Sequence, residues 1–160
     1  PGKPLTFDLV YTTLEENRRL AVAMAAMWQA IGVRANPLNR DLIAINKAAR
    51  TRDFQALLYT WFPPNDDPYS FLGLAETGNP ANYSGSSTPA FDAMLAKANA
   101  EPARERRYAL LAQAEAAMLK DQPFVPVFFY VRRFLVKPYV TGFQENPRGI
   151  NLSRWLGVAK

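Results

Sequence analysis

Two adjacent carboxylates, Asp66 and Asp67, lie in a proline-bracketed stretch, Pro63-Pro64-Asn65-Asp66-Asp67-Pro68, that follows Trp61 and Phe62. Paired carboxylates can divide general-acid and general-base roles or share a metal ion, provided that they converge on one point. Neighbours on an extended loop point apart, so catalysis is not the expected use of this pair. Asp67 is instead placed to cap a helix whose first residue is Pro68, which leaves Asp66 for solvent or ligand. Trp61 offers a large flat face and one N–H donor at low entropic cost, the properties of a ligand wall; the competing assignment for it is core. The chain has no Cys and no His, which excludes disulfides, thiol nucleophiles, Ser-His or Cys-His pairs and the usual zinc sites. A hydrolytic enzyme is therefore a distant third among the functional classes, and no cofactor is expected.

The elements that must hold these residues follow from periodicity. Leu5, Phe7, Leu9 and Tyr11 alternate as a half-buried strand does. Thr13-Leu14-Glu15-Glu16 reads as a capping box, and Leu20, Met24, Met27 and Ile31 then form a helical stripe that Gly32 can terminate. Val33 to Leu38 is extended, and Asn39 is expected to cap a second helix over 40–50 with Leu42, Ile45 and Ala49 inward. A third strand spans Phe54 to Phe62 and delivers Trp61 to its end, where open α/β sheets bind ligands. Thr88-Pro89 opens a helix with Phe91, Met94, Leu95 and Ala98 inside, and a further helix runs from about Pro102 to Asp121 to make a hairpin with it. Pro123 to Val131, apolar on both faces, is expected to be a central core strand.

A chain of 160 residues and 17.9 kDa fits one domain and hides roughly 68–70% of its unfolded surface. The longest apolar run, Leu20 to Trp28, is too short to span a membrane. A net charge of +5 and a pI near 9.6 raise the question of nucleic acid, but the basic residues are scattered doublets, Arg18-Arg19, Arg106-Arg107 and Arg132-Arg133. No continuous basic run accompanies them, so no nucleic-acid partner is expected. Asn82-Tyr83-Ser84 matches a glycosylation sequon. The start at Pro1-Gly2-Lys3 lacks an initiator Met and reads as a cut end.

In order, the pieces resemble one lobe of an extracytoplasmic solute-binding protein of the dipeptide/oligopeptide-binding family that serves ABC importers. The resemblance rests on Met27-Trp28-Gln29-Ala30-Ile31-Gly32-Val33, on Asp53-Phe54 leading to Trp61, and on Asn65-Asp66-Asp67-Pro68-Tyr69-Ser70-Phe71-Leu72. It continues through Tyr83-Ser84, Phe91-Asp92-Ala93-Met94-Leu95, the helix from Arg107 to Glu115, Pro126 to Tyr130 and Leu135 to Val140. It implies an α/β chain, a single C-terminal-side lobe of a type II periplasmic-binding-protein fold with a mixed sheet flanked by helices. The whole of 1–160 would be one ligand-binding lobe, with its partner lobe outside this chain.

The family further implies a periplasmic or other extracytoplasmic protein that catalyses no reaction. Its two lobes close over a peptide or other small solute, and the closed form docks on an ABC permease. Trp61, Phe62, Pro64, Asn65 and Asp66 would line this half of the cleft. Arg50 and Arg52 lie near where the family turns an arginine toward the ligand. Members that hold a free peptide amino-terminus carry Asp three places after the matching tryptophan, and here that place is Pro64. Asp66 is the acid that can substitute, unless the ligand is a blocked peptide or another solute. The arginine often found three places before the tryptophan is Leu58. A second reading from another class is a ligand-sensing domain of a sugar-stress transcription regulator, which uses a similar lobe.

Overall fold

The computed structural model describes residues 2–131, 133–146 and 149–159; Pro1 and Arg132, both named above, lie outside the described residues. The chain divides into two compact units, Pro1–Pro126 and Val127–Lys160.

In the first unit, β1 (Thr6–Thr12) is the middle of a three-stranded sheet with β2 (Arg34–Arg40) on one side and β3 (Ala56–Leu57) on the other. Both pairings are parallel, Thr6 facing Arg34 through to Thr12 facing Arg40, and Leu9 facing Ala56. Parallel neighbours need crossovers, supplied by α1 (Glu15–Gln29) and α2 (Leu42–Thr51). The carboxyl ends of all three strands therefore emerge at one edge. Leu9, Val10 and Tyr11 are all buried, as a middle strand with packed faces requires.

Helix α1 is present, but its buried face is turned from the expected one. Ala21 is fully buried and packs with Leu9 and Tyr11, joined by Met24 and Trp28, while Met27 and Ile31 are 72% and 75% exposed. The run from Leu20 to Trp28 is apolar nearly all round, so spacing alone allows several stripes. The sheet selects the one containing Ala21, whose small side chain lets the helix approach closely. Phe7 meets Trp28 edge-on at 5.4 Å, a favourable aromatic geometry.

The two expected caps also move. The Thr13 hydroxyl donates to Asn39 Oδ1 at 3.1 Å and to the Arg40 carbonyl at 3.3 Å, so it joins two strand ends instead of capping α1, which begins at Glu15 without a side-chain cap. Asn39 is thereby engaged, and Asp41 caps α2 by accepting from the Ala44 amide at 2.8 Å. Ile45, Ala48 and Ala49 are the buried side of α2, and Leu42 is exposed. Only Ala56 and Leu57 of the expected third strand form a ladder, prolonged by the Leu58 amide donating to Val10 O at 2.8 Å. Beyond them the chain leaves the sheet toward Pro63-Pro64, which have no N–H to donate.

A short helix, α3 (Tyr69–Leu72), and a 3-10 turn at Gly73–Ala75 lead to the hairpin of α4 (Pro89–Ala100) and α5 (Arg104–Asp121). Thr88 caps α4 as expected, its hydroxyl accepting from the Phe91 amide at 3.1 Å. Phe91, Leu95 and Ala98 interlock with Leu111, Ala114 and Met118, and Leu72 and Ala75 complete this core. Fully burying one such leucine contributes about 1.5–3 kcal/mol.

The second unit contains β4 (Val140–Thr141) paired antiparallel with β5 (Gly157–Val158), and a 3-10 turn at Ser153–Trp155. The mixed sheet expected of the fold is thus a parallel sheet in one unit and a small antiparallel ladder in the other. The expected core strand over 123–131 is not formed. Phe124 packs on the hairpin core, but Val125, Val127, Phe128, Tyr130 and Val131 are exposed, and Phe129 is 96% exposed. A strand is buried by neighbours that pair with it, and none of the described strands pairs with this one. Among the described residues, no helix is long and apolar enough to cross a membrane.

Candidate functional site

The carboxyl edge of the parallel sheet is where the chain turns outward three times: after Thr12 into α1, after Arg40 into α2, and after β3 into the proline-rich bend. The bend is held by a short network. The Trp61 indole N–H donates to the Ser70 carbonyl at 3.1 Å, the Ser70 hydroxyl donates to Asn65 Oδ1, and the Asp67 amide donates to the same Asn65 oxygen at 3.3 Å. Trp61, Asn65 and Asp66 are thus brought together on one bend closed against the first turn of α3. Trp61 is half-buried, so it is neither sealed in the core nor free to donate its N–H to a ligand; what it can offer is its ring face. Phe62 is 51% exposed, and Pro64, Asn65 and Asp66 are exposed.

The two carboxylates have different fates. Asp67 Oδ1 accepts from the Tyr69 amide at 2.9 Å, and its two oxygens receive Arg107 Nη1 at 2.7 Å and Nη2 at 3.0 Å. The Arg107 guanidinium, helped by the Tyr69 amide, holds the Asp67 carboxyl below its usual range against the opposing effect of burial. Asp67 therefore accepts from the first amide of α3, one residue further out than expected because Pro68 and not Asp67 is the N-cap, and it also ties the bend to α5, which sequence reasoning missed. Among the described residues the Asp66 carboxylate enters no ion pair or hydrogen bond.

Arg50 and Arg52 do not join that network directly. Arg52 ends α2 in the left-handed conformation, φ 57°, and donates through Nη2 to the Asn82 carbonyl at 3.2 Å. Its guanidinium lies where a Cβ on Gly85 would come within 2.9 Å, so it supports the 82–85 loop. Arg50 is exposed at the last turn of α2, near Tyr59. The Tyr59 hydroxyl donates to Asn46 Oδ1 at 2.9 Å, and its ring meets Tyr83 edge-on at 5.4 Å. Burial, then Tyr83, pushes the Tyr59 hydroxyl up, and the charge of Arg50 works against them. The sequence reading gave neither Tyr59 nor Tyr83 a role at the site, although Tyr59 lies two residues before Trp61 on the same extended segment.

Three other features resolve. Asn82 of the sequon is 5% exposed, and its amide donates to the Glu76 and Ser86 carbonyls at 3.1 and 3.0 Å. It is a loop organiser with no free amide to modify. Two of the three basic doublets are paired within the chain: Arg18 and Arg19 with Glu15, Arg106 with Glu101 and Arg107 with Asp67. An open concavity of ≈ 320 Å³ is lined by Asp8, Val10, Leu38, Arg40 and Asp53 among others, and of the expected site residues it takes in Arg52.

A parallel sheet with crossover helices, ending in an exposed aromatic and acidic bend at its carboxyl edge, is the architecture of a type II periplasmic-binding-protein lobe. No family model matches the chain. It is 30% identical over 162 residues to the periplasmic murein peptide-binding protein MppA of Escherichia coli, covering 100% of this chain and 30% of that protein. To the periplasmic oligopeptide-binding protein OppA of Salmonella typhimurium it is 34% identical over 142 residues, 88% of this chain and 26% of that protein. The solved structure of the E. coli murein tripeptide-binding protein superposes with a TM-score of 0.93 at 29% identity, over 99% of this chain and 31% of that one. Haemophilus influenzae OppA in complex with RPPGFSPFR gives 0.92 at 27% identity, over 98% and 31%. The chain is a homologue of the oligopeptide- and murein-peptide-binding proteins, and it spans about a third or less of their length.

Proposed function

We propose that this chain is the C-terminal-side lobe of an extracytoplasmic peptide-binding protein that delivers its ligand to an ABC permease. The observation that carries this reading is the end-to-end match to MppA at a TM-score of 0.93, joined to the aromatic and acidic bend at the sheet's carboxyl edge. In this reading Trp61 gives one ring face, Phe62 an exposed ring, and Asn65 and Asp66 polar groups to one wall of the cleft. The proposed role is binding without catalysis, in keeping with the peptide-binding relatives. A partner lobe elsewhere in the protein supplies the opposite wall. Exposed apolar residues such as Phe129, 96% exposed, fit a chain that completes its burial against further protein. The peptide-binding relatives support the receptor reading and give no support to a transcription regulator.

The test is calorimetric titration of the full-length protein carrying this sequence with trialanine, together with N-acetyl-trialanine and a panel of longer peptides. Binding of any of them is the expected result, with at most weak binding by residues 1–160 alone, because half a cleft leaves the solute hydrated. Absence of binding across the panel, or tight binding by the isolated chain, would overturn the reading.

A further inference from the structure

The bend that carries Trp61, Asn65 and Asp66 has little regular structure of its own: it leaves β3, passes two prolines, and re-enters order only at α3. Its local bonds, Trp61 to Ser70, Ser70 to Asn65 and Asp67 to Asn65, join it to itself and to the first turn of α3. A contact that reaches a remote element joins Asp67 to Arg107, which are 40 residues apart in sequence. It is bidentate, with both guanidinium Nη atoms on both carboxylate oxygens at 2.7 and 3.0 Å. Both side chains are half-buried, Arg107 at 21% and Asp67 at 34% relative exposure. Arg107 Nη2 also reaches Asn99 Oδ1 on α4 at 3.5 Å, so the guanidinium rests on both helices of the hairpin. A planar fork on a carboxylate fixes orientation as well as distance, which a lysine cannot reproduce.

We propose that Arg107 is a positioning residue for ligand binding: from α5, without touching ligand, it holds Asp67 so that the adjoining residues Trp61, Asn65 and Asp66 are presented in one fixed arrangement. The inference rests on the peptide-binding reading above. Pre-ordering the bend removes an ordering cost that ligand binding would otherwise meet. Asp66 needs this most: it is adjacent to Asp67 and has no partner of its own among the described residues, so its place is set by the backbone that Arg107 anchors.

The experiment uses the full-length protein with Arg107→Gln, Arg107→Lys, Asp67→Asn and the Arg107→Gln/Asp67→Asn pair. Leu95→Ala serves as a variant that weakens the same hairpin without touching the anchor. Trialanine affinity is measured by calorimetry, and amide hydrogen exchange is followed over residues 61–72. Arg107→Gln is expected to weaken trialanine about tenfold and to speed exchange over 61–72, with the double variant no worse than either single one. Arg107→Lys should restore only part of the affinity, and Leu95→Ala should lower thermal stability at unchanged affinity. If Arg107→Gln does not fold, Arg107→Lys against Leu95→Ala decides the matter by the same two readings. Normal affinity or unchanged exchange in the Arg107 variants, or an equal affinity loss in Leu95→Ala, overturns the positioning role while leaving peptide binding in place. Failure of the unaltered protein to bind any peptide removes both.

Discussion

Asp66 is the acid left available at the candidate site, and its contribution can be isolated. Asp67 cannot take over its role, because both of its oxygens are held by Arg107. Pro64 offers no charge where the resembling family carries an acid. A peptide ammonium seated on this bend therefore has Asp66 as the acid on the segment 63–68 that no described residue pairs. A hydrogen bond to a charged group is worth about 1.5–3 kcal/mol. Asp66→Asn keeps the size and one acceptor oxygen and removes the charge, so the lower figure applies, about tenfold in affinity. The assay is calorimetry of the full-length protein with trialanine and with N-acetyl-trialanine, which lacks the ammonium. Asp66→Asn should weaken the first about tenfold and leave the second unchanged. Equal effects on the two peptides, or none on either, would refute the assignment of Asp66 to the amino-terminus.

Pro64→Asp places an acid where the resembling family has one, and should raise affinity for trialanine over the acetylated peptide; separately, the backbone freedom restored to the unfolded chain should lower stability by about 0.4–1 kcal/mol. Leu95, fully buried between α4 and α5, should cost about 2–5 kcal/mol when cut to Ala, read by urea denaturation at unchanged trialanine affinity. The Asp67 carboxyl is held below its ordinary value of 3.8, so the stability it contributes is present above that pH and is lost as pH falls through the lower folded-state value. An NMR titration should show an Asp67 midpoint below 3.8 that moves up toward it in Arg107→Gln. Gly142 has φ 77°, and a Cβ there would lie 1.8 Å from the Trp155 carbonyl; Gly142→Ala should therefore destabilise the β4–β5 ladder by more than about 1 kcal/mol, seen as faster amide exchange at Val140 and Ala159.

Much of the first unit was legible because its signals are local. Alternation at Phe7, Leu9 and Tyr11 marks a strand wherever it lies, and Thr88-Pro89 caps a helix through bonds confined to one turn. The double proline after Phe62 forbids a ladder irrespective of surroundings, so the exposed bend at a strand's end could be read directly. Gly32 at φ 84° likewise follows from what a Cβ would cost in that conformation.

What failed depended on partners remote in sequence. Thr13 had a complete local capping box, yet its hydroxyl was claimed by Asn39 and Arg40 of the neighbouring strand. Helix α1 carried several possible apolar stripes, and only the sheet surface picked Ala21. Residues 123–131 have the composition of a core strand, but burial comes from pairing neighbours, and none of the described strands supplies them. The sequence already separated the two aspartates, Asp67 toward the helix start and Asp66 toward solvent or ligand. What it could not show was Arg107 arriving from α5 to hold Asp67, because a charge pair across 40 residues exists only once the chain has folded.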